Sequence, residues 1–386
     1  MPWKVRNAVT ERMDFVSRLA RGERMTDLCR EFDISRKTGY KIWNRFRGEG
    51  AEGLFDQSRR PERSPQKTPK AVQELVLGLK KEHPTWGPKK LKAELERREK
   101  GIRIPASSTI GEMLSRHGLV KRRPRRPRRG AKPSTKLRSS TCANELWCAD
   151  FKGEFRLGNR KYCYPLTISD NFSRYLIACD ALESTKDGEA RVVFEEAFRE
   201  FGLPRAIRTD NGAPFASTGL LGLTKLSVWW LRLGLELERI EPGHPEQNGR
   251  HERIHLTLKE DCTRPAGANQ LQQQERFERF REEYNEKRPH EALEMKRPSD
   301  LYSASERVYP RELVEPEYPL HDRVTSVSAY GEARIGGKGT RFYLSQALAF
   351  ETVGLREVEE GRWLVSFLDF DLGHYDERER RFEVLE

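Results

Sequence analysis

Residues 121–140, KRRPRRPRRGAKPSTKLRSS, carry ten Lys or Arg and no acid. No hydrophobic core can absorb such a run, because an unpaired charge is strongly disfavoured away from water. Proline and self-repulsion predict an extended tether, so the chain on either side must fold around separate cores. The tether also carries most of the formal net charge of +12. Such a segment suits a polyanion whose counterions it can displace, and nucleic acid is the expected partner, with a solvated interdomain spacer as the plainer reading.

Ahead of the tether the pattern is helical. Residues 9–20, 27–32 and 35–47 predict three short helices, with Thr26 and Ser35 at positions suited to N-caps. The tight link EFDIS followed by SRKTGYKIWNRF fits a helix-turn-helix. In its last helix Ile42, Trp43 and Phe46 face a core, which leaves Arg36, Lys37, Tyr40, Lys41 and Asn44 outward for phosphates and base edges. Ordinary three-helix packing with a basic face is the alternative. Residues 71–84, 87–98 and 107–119 repeat the helical theme and predict a second, similar module.

Beyond the tether the period changes. ELWCADFKGEFRL, KYCYPLTISD and SRYLIACDAL are strand-like, with GNR (158–160) as a hairpin turn. Residues 188–202 and 224–234 are helical, 206–210 and 235–240 strand-like, and 246–261 and 271–286 helical again. Three meandering strands followed by alternating helices and strands predict a mixed sheet with helices on its faces. Residues 284–302 read as an extended crossing segment, and short strands with Gly turns from 321 onward predict a small β barrel or sandwich. Residues 341–386 hold eleven acids against six bases, which disfavours DNA wrapping by that surface and points to protein contact within an assembly. The expected domains are 1–56, 68–120, the basic linker 121–143, 144–300 and 320–386.

Composition narrows the class further. Hydrophobic residues are 36% and charged residues 34% of the chain, and no run approaches the roughly 18 apolar residues of a membrane span. MPWKVRNAVTERMDF has no secretory signal pattern, so a cytoplasmic, membrane-free protein is expected. Six cysteines show no zinc-site spacing and are expected to be reduced packing residues.

The acids carry the chemistry. Asp150 ends the apolar run WCAD and Asp210 ends AIRTD before an Asn-Gly turn; two such strand ends on one sheet can converge. The bland readings are a surface carboxylate and a turn cap. A third ligand is sought in HPEQNGRHERIHLTLK (244–259), which offers Glu246 and Glu252. At about 100° per residue, Asn248, His255, Leu256 and Lys259 fall within about 60° of Glu252, with Ile254 and Leu258 on the far side where a core belongs. Glu246 lies about 120° away, at the helix start, where it can simply complement the dipole. Asp170 is assigned to turn formation, Trp229 and Trp230 to core, and His244, His251 and His255 to contact with DNA or solvent, since imidazole suits Mg²⁺ poorly.

WCAD, TDNGAPF and HPEQNGRHERIHLTLK resemble the three acidic motifs of the bacterial insertion-sequence DDE transposases of the retroviral-integrase superfamily, and YNEKRPHEAL resembles the segment those transposases carry just afterwards. The absence of a His/His/Cys/Cys zinc module favours the bacterial branch over retroviral integrases. In that family the last acid follows the Gly of a Pro-x-x-x-Gly segment by three residues, as Glu252 follows Gly249, and a Lys further along contacts DNA, as Lys259 would. Counting alone favours Glu246, which leaves 35 residues after Asp210, the family's usual interval, whereas Glu252 leaves 41. Extra residues in ASTGLLGLTKLSVWW account for the longer interval, so Glu252 is preferred.

The resemblance implies a ribonuclease-H-like catalytic domain in which Asp150, Asp210 and Glu252 bind two Mg²⁺ or Mn²⁺ ions and act as the catalytic acids. It implies cleavage at transposon ends to free a 3′-hydroxyl, then transfer of that strand into target DNA by a dimer or higher oligomer. Nucleoid association in a bacterial cytoplasm would follow. Gln247 and Asn248 are placed near phosphates by position, and Arg122, Arg123, Arg125, Arg126, Arg128 and Arg129 by the tether. The rival expectations are a DNA-binding regulator on a degenerate catalytic fold and a nuclease without strand transfer.

Overall fold

The computed structural model describes residues 7–56, 67–120, 137–241, 247, 249–335 and 340–385. They fall into two compact units, Met1–Thr68 and Pro69–Glu386.

The first unit is a three-helix core. Helices α1 (Ala8–Ala20), α2 (Met25–Glu31) and α3 (Arg36–Glu49) surround Phe15, Val16, Leu28, Cys29 and Leu54, with Ile42, Trp43 and Phe46 packed against them. Ser35 caps α3 as expected, its hydroxyl accepting from Thr38 N at 3.2 Å. Thr26 does not cap: Arg24 already has extended backbone angles, so α2 starts at Met25 and Thr26 lies inside it. Gly39 sets the approach of α3 to α2, because a Cβ there would stand 2.6 Å from Cys29 Sγ and 2.8 Å from Met25 Sδ.

The second unit begins with α4 (Lys70–Glu82), α5 (Pro88–Arg98) and α6 (Ser107–Arg116), closed over Val76, Leu79, Trp86, Leu91, Leu95 and Ile110. These helices are tied to the segment 283–300 by charge. Glu94, buried, accepts from Arg297 at 2.8 Å and Arg98 at 2.8 Å; burial opposes its charge, but the two guanidinium groups prevail and hold the carboxyl below its ordinary range. Lys89 pairs with Glu291, and Arg97 with Asp300 at 3.2 Å.

A six-stranded mixed sheet follows, built from β1 (Leu146–Phe151), β2 (Phe155–Arg156), β3 (Tyr162–Asp170), β4 (Leu176–Leu182), β5 (Ala206–Thr209) and β6 (Glu236–Arg239). The hairpin through 158–160 forms where GNR predicts it, with Arg160 N bonded to Leu157 O at 2.9 Å. β3 pairs antiparallel with β1 and β4, while β5 pairs parallel with β1 and β6. Helices α7 (Asp187–Phe201) and α8 (Lys225–Arg232) cover one face over Trp147, Ala149, Leu166, Ile168 and Ile207, with Trp229 and Trp230 buried there. Helices α9 (Gly249–Cys262) and α10 (Gln270–Glu282) cover the other through Ile254, Leu258, Cys262, Phe277 and Phe280, on Cys163 and Cys179. The segment expected to be extended instead continues α10 as a π-helical turn over Glu283–Lys287, with short 3₁₀ turns at Glu291–Leu293 and Pro298–Asp300. Local turns satisfy its backbone between prolines.

Strands β7 (Arg323–Ser326), β8 (Glu332–Ile335), β9 (Thr340–Tyr343), β10 (Thr352–Glu359), β11 (Arg362–Phe367), β12 (Phe370–Asp376) and β13 (Arg381–Val384) complete the unit. They do not close into the expected barrel. The sheet runs β13-β12-β11-β10-β7 and stays open, and the ribbon β8-β9 is separate. Stacking of Phe342 on Tyr375, with ring centroids 4.3 Å apart, lays the ribbon over the sheet, so core burial is achieved by covering rather than closure. All six cysteines are free, five of them buried, and no helix among the described residues is long and apolar enough to cross a membrane.

Because Gly39 lies where two sulfur atoms leave no room, Gly39→Val is expected to cost about 1–3 kcal/mol by overpacking. Amide hydrogen exchange over residues 25–47 reads this; unchanged protection would show that α2 and α3 are not held by that approach.

Candidate active site

Strand pairing brings the two aspartates level. Leu146, Trp147 and Cys148 of β1 stand opposite Ala206, Ile207 and Arg208 of β5, a constant offset that puts Asp150 opposite Asp210 when carried two residues on. Neighbouring strands lie about 4.8 Å apart, so side chains at matched positions are neighbours. Alternation gives the direction. Trp147, Ala149 and Ile207 enter the core under α7 and α8, so Leu146, Cys148 and Asp150, with Ala206, Arg208 and Asp210, belong to the opposite face, where α9 and α10 pack. Both aspartates are half-buried. Asp210 Oδ1 accepts from Gly212 N at 3.2 Å, so one oxygen does cap the turn. Asn211 fastens that turn to β6 by donating to Ile240 O at 2.7 Å.

Helix α9 is pinned directly across from Asp150. Thr167 of β3 is the cross-strand partner of Asp150, and its hydroxyl donates to Asp150 O at 3.1 Å. A hydroxyl has one proton, so the contact of Thr167 Oγ1 with His255 Nε2 at 2.9 Å is donated by the imidazole. His251 Nε2 lies 3.3 Å from Thr167 O, a carbonyl that can only accept. Both rings therefore carry hydrogen on Nε2. The expectation of contact with DNA or solvent fails for His251, which is fully buried; burial pushes its pKa down to about 4 and that of the half-buried His255 to about 3, leaving both neutral. Charged imidazoles could not occupy this interface, and helix positions 251 and 255, one turn apart, give the two bonds.

Glu252 follows His251 and is exposed in the first turn of α9, while Ile254 and Leu258 are buried on the far side as the helical repeat requires. The three acids are not drawn into one cluster: among the described residues no group of three His, Cys, Asp or Glu side chains is placed to hold a metal ion. His244, Glu246 and Asn248 lie outside the described residues. Gln247 Oε1 accepts from Glu241 N at 2.8 Å, joining the exit of β6 to the approach of α9. Lys259 is exposed. Lys152, which sequence patterns did not single out, lies near enough that burial first and Lys259 second lower its pKa. Asp170 builds its turn, as expected, but from full burial, accepting from Ser173 N at 2.7 Å and Asn144 N at 2.9 Å.

Elsewhere the cationic residues divide. Arg36, Lys37, Tyr40, Lys41 and Asn44 are all exposed on α3. Arg122, Arg123, Arg125, Arg126, Arg128 and Arg129 lie outside the described residues. Where the tether is described again, Arg138 pairs with Glu236 and its amide donates to Glu238 at 2.8 Å, along β6.

Two integrase core domain families match residues 140–245 and 233–298, and their span holds both aspartates, Thr167 and α9. Together the two matches run over residues 140–298. A helix-turn-helix domain family matches residues 11–62, and a homeodomain-like domain family matches residues 38–114. Among curated relatives, the chain is 29% identical over 173 residues to an uncharacterized 39.2 kDa protein of insertion element IS476 from Xanthomonas euvesicatoria, covering 45% of this chain and 48% of the relative. It is 29% identical over 186 residues to an uncharacterized 31.7 kDa protein of insertion element IS407 from Burkholderia multivorans, covering 48% and 64%. The matches thus span about half to two-thirds of those relatives' lengths. Among solved structures, the HTLV-2 integrase catalytic core domain in complex with magnesium aligns at a TM-score of 0.34 with 15% identity, over 42% of this chain and 99% of that one. The chain thus matches integrase core families over 140–298 and helix-turn-helix families ahead of them, and is similar to insertion-element proteins.

Thr167→Val keeps shape but removes the acceptor for His255 and the donor to Asp150. Leaving a buried imidazole N–H unpaired should cost about 1–3 kcal/mol, seen as a lower urea midpoint with unchanged slope. An unaltered midpoint would mean that the Thr167 bonds do not hold α9.

Proposed function

We propose that the protein is a DNA transposase in which the helix-turn-helix units bind transposon ends and the integrase core cuts them and joins them to target DNA. The observation that carries this reading is the level placement of Asp150 and Asp210 on adjacent parallel strands, facing the helix that bears Glu252. Three carboxylates are hard oxygen donors that fit Mg²⁺ or Mn²⁺ and a DNA phosphate. Two such ions, when bound, activate an attacking oxygen and stabilise the leaving one. Asp150, Asp210 and Glu252 are the residues that would hold them. Glu252 joins the pair when DNA is bound, moving from the exposed first turn of α9.

The residues of the chain then position phosphodiesters rather than form bonds with them. At a transposon end, water attacks phosphorus, one P–O bond breaks, and a 3′-hydroxyl is released. That hydroxyl attacks a target phosphodiester, exchanging one P–O bond for another. On this reading α3 presents Arg36, Lys37, Tyr40, Lys41 and Asn44 to end DNA, Lys259 and Gln247 lie along the substrate backbone with Asn248, and the basic tether follows the duplex. A dimer or higher oligomer pairs two ends. Because Glu252 stands apart from the aspartates, a DNA-binding regulator on an inactive core is the reading to exclude.

Incubation of purified protein with labelled end DNA, a target plasmid and Mn²⁺ separates these possibilities. Joined products are expected from the wild type and from Glu246→Gln, and none from Glu252→Gln. Activity of Glu252→Gln with loss in Glu246→Gln would reverse the assignment of the third acid; retention of DNA without any product would support the regulator, and cleavage without joining a nuclease. For end binding, Lys41→Ala is expected to weaken affinity and lower the salt dependence of log K by about one; an unchanged slope would remove α3 from the interface.

A further inference from the structure

A cavity of about 640 Å³ opens between α5, the start of α9 and the segment 284–292, with neither aspartate in its lining. Lys90, Arg174, Arg253 and Arg288 line it, with His290. Four cations meet one carboxylate of the lining, Glu291, and that one is engaged by Lys89. Arg288 is further held by Asp261 at 3.2 Å. His290 is kept neutral by burial, with its pKa near 3, and its Nε2 has no partner. Arg174 takes a φ of +64°, a left-handed conformation that is costly for a residue with a Cβ and is retained where surrounding structure enforces it.

A second hollow, of about 570 Å³, shares Lys90 and Glu291 with the first and runs past Pro88, Ser107 and Ser108. It crosses the N-termini of α5 and α6, neither of which has a side-chain cap bond. Uncapped amides at helix starts favour anions. Lys90 and Arg174 are half-buried and Arg253 is exposed at the rim, and like charges drawn to one groove make it attractive to an anion. Like charges, the buried His290 Nε2 and two helix starts along one continuous hollow describe a groove suited to a chain of negative charge.

We propose that these joined hollows form a phosphate track for duplex DNA, in which Lys90, Arg174 and Arg253 hold successive backbone phosphates against both α4–α6 and the integrase core. The proposal rests on DNA being the substrate but not on the assignment of the catalytic acids. It gives the helices α4–α6 a task that their packing against 283–300 makes possible: they form one wall of the track, so one DNA segment is gripped by both parts at once. Lys90 adds a signature. Burial and then Arg288 lower its pKa to about 7, against Asp261 and Glu291, which raise it; with Arg174 fixed in charge and His290 neutral, Lys90 is the group that changes charge near neutrality. A phosphate needs the ammonium form, so affinity should fall as pH rises through 7.

The test is fluorescence anisotropy of the full chain with a random-sequence duplex in EDTA, where no chemistry occurs. Lys90→Ala and Arg253→Ala are expected to bind about tenfold more weakly each, as loss of a charged hydrogen bond implies, and to lower the salt slope by about one. Arg378→Ala, which removes an exposed charge from the turn between β12 and β13, is the control. Lys90→Arg is expected to keep affinity and to flatten its fall between pH 6.5 and 8.5. Equal affinity and slope for wild type, Lys90→Ala and Arg253→Ala would overturn the track, as would a pH profile of Lys90→Arg identical to the wild type. Strand joining that survives such a result would leave the catalytic reading intact, and loss of joining in the acid variants with normal binding would leave the track intact.

Discussion

The parallel pairing of β1 with β5 decides where two carboxylates stand. A strand alternates faces with a period of two, so a slip of one residue would send Asp150 under α7 and leave Asp210 beneath α9. Packing opposes the slip: Trp147 and Ala149 fill the core on one face and would be exchanged for Leu146, Cys148 and the charged Asp150, which do not match that space. The same apolar side chains that stabilise the sheet therefore set the height and direction of its acids. Nothing in that arrangement requires the acids themselves to contribute stability.

Neutral imidazoles extend this order to α9. His251, buried, and His255, half-buried, reach β3 at Thr167, whose hydroxyl also bonds to the Asp150 backbone, so strand and helix meet there. The rest of the helix is held by Ile254 and Leu258 in the apolar layer above α10. Glu252 keeps its place in solvent because both neighbouring constraints act on other faces of the turn. On the other side of the sheet edge, Arg138 and Arg208 share the acids of β6, with Arg208 donating to Glu238 at 2.8 Å and to Arg138 O at 2.7 Å. The acidic edge strand thus anchors the end of the basic tether.

Much of this was legible from residue order. Apolar runs ending in Asp placed β1 and β5, the helical repeat placed Ile254 and Leu258 inward and Glu252 outward, and Ser35 marked the start of α3. Local patterns failed where tertiary contact outweighed them. Nothing around His251 and His255 says that Thr167, more than eighty residues away, would receive them, and histidine in a polar sequence reads as a surface residue. Thr26 lost its capping role to a backbone that turned helical two residues earlier than expected, at Met25. The C-terminal strands were readable as strands, but closure depends on which edges pair, and stacking of Phe342 on Tyr375 covers the sheet without joining β7 to β13. The cationic hollow beside α5 was invisible because it combines residues from four separated stretches, and Lys152 because a single lysine after a strand carries no pattern.

The most direct measurement is anomalous diffraction from crystals of the protein bound to DNA and soaked with Mn²⁺. Peaks within coordination distance of the carboxylates of Asp150, Asp210 and Glu252, beside a DNA phosphate, are expected. Manganese bound elsewhere, or a DNA complex in which Glu252 remains in solvent while the two aspartates face a phosphate without an ion, would contradict a catalytic site built on these three acids.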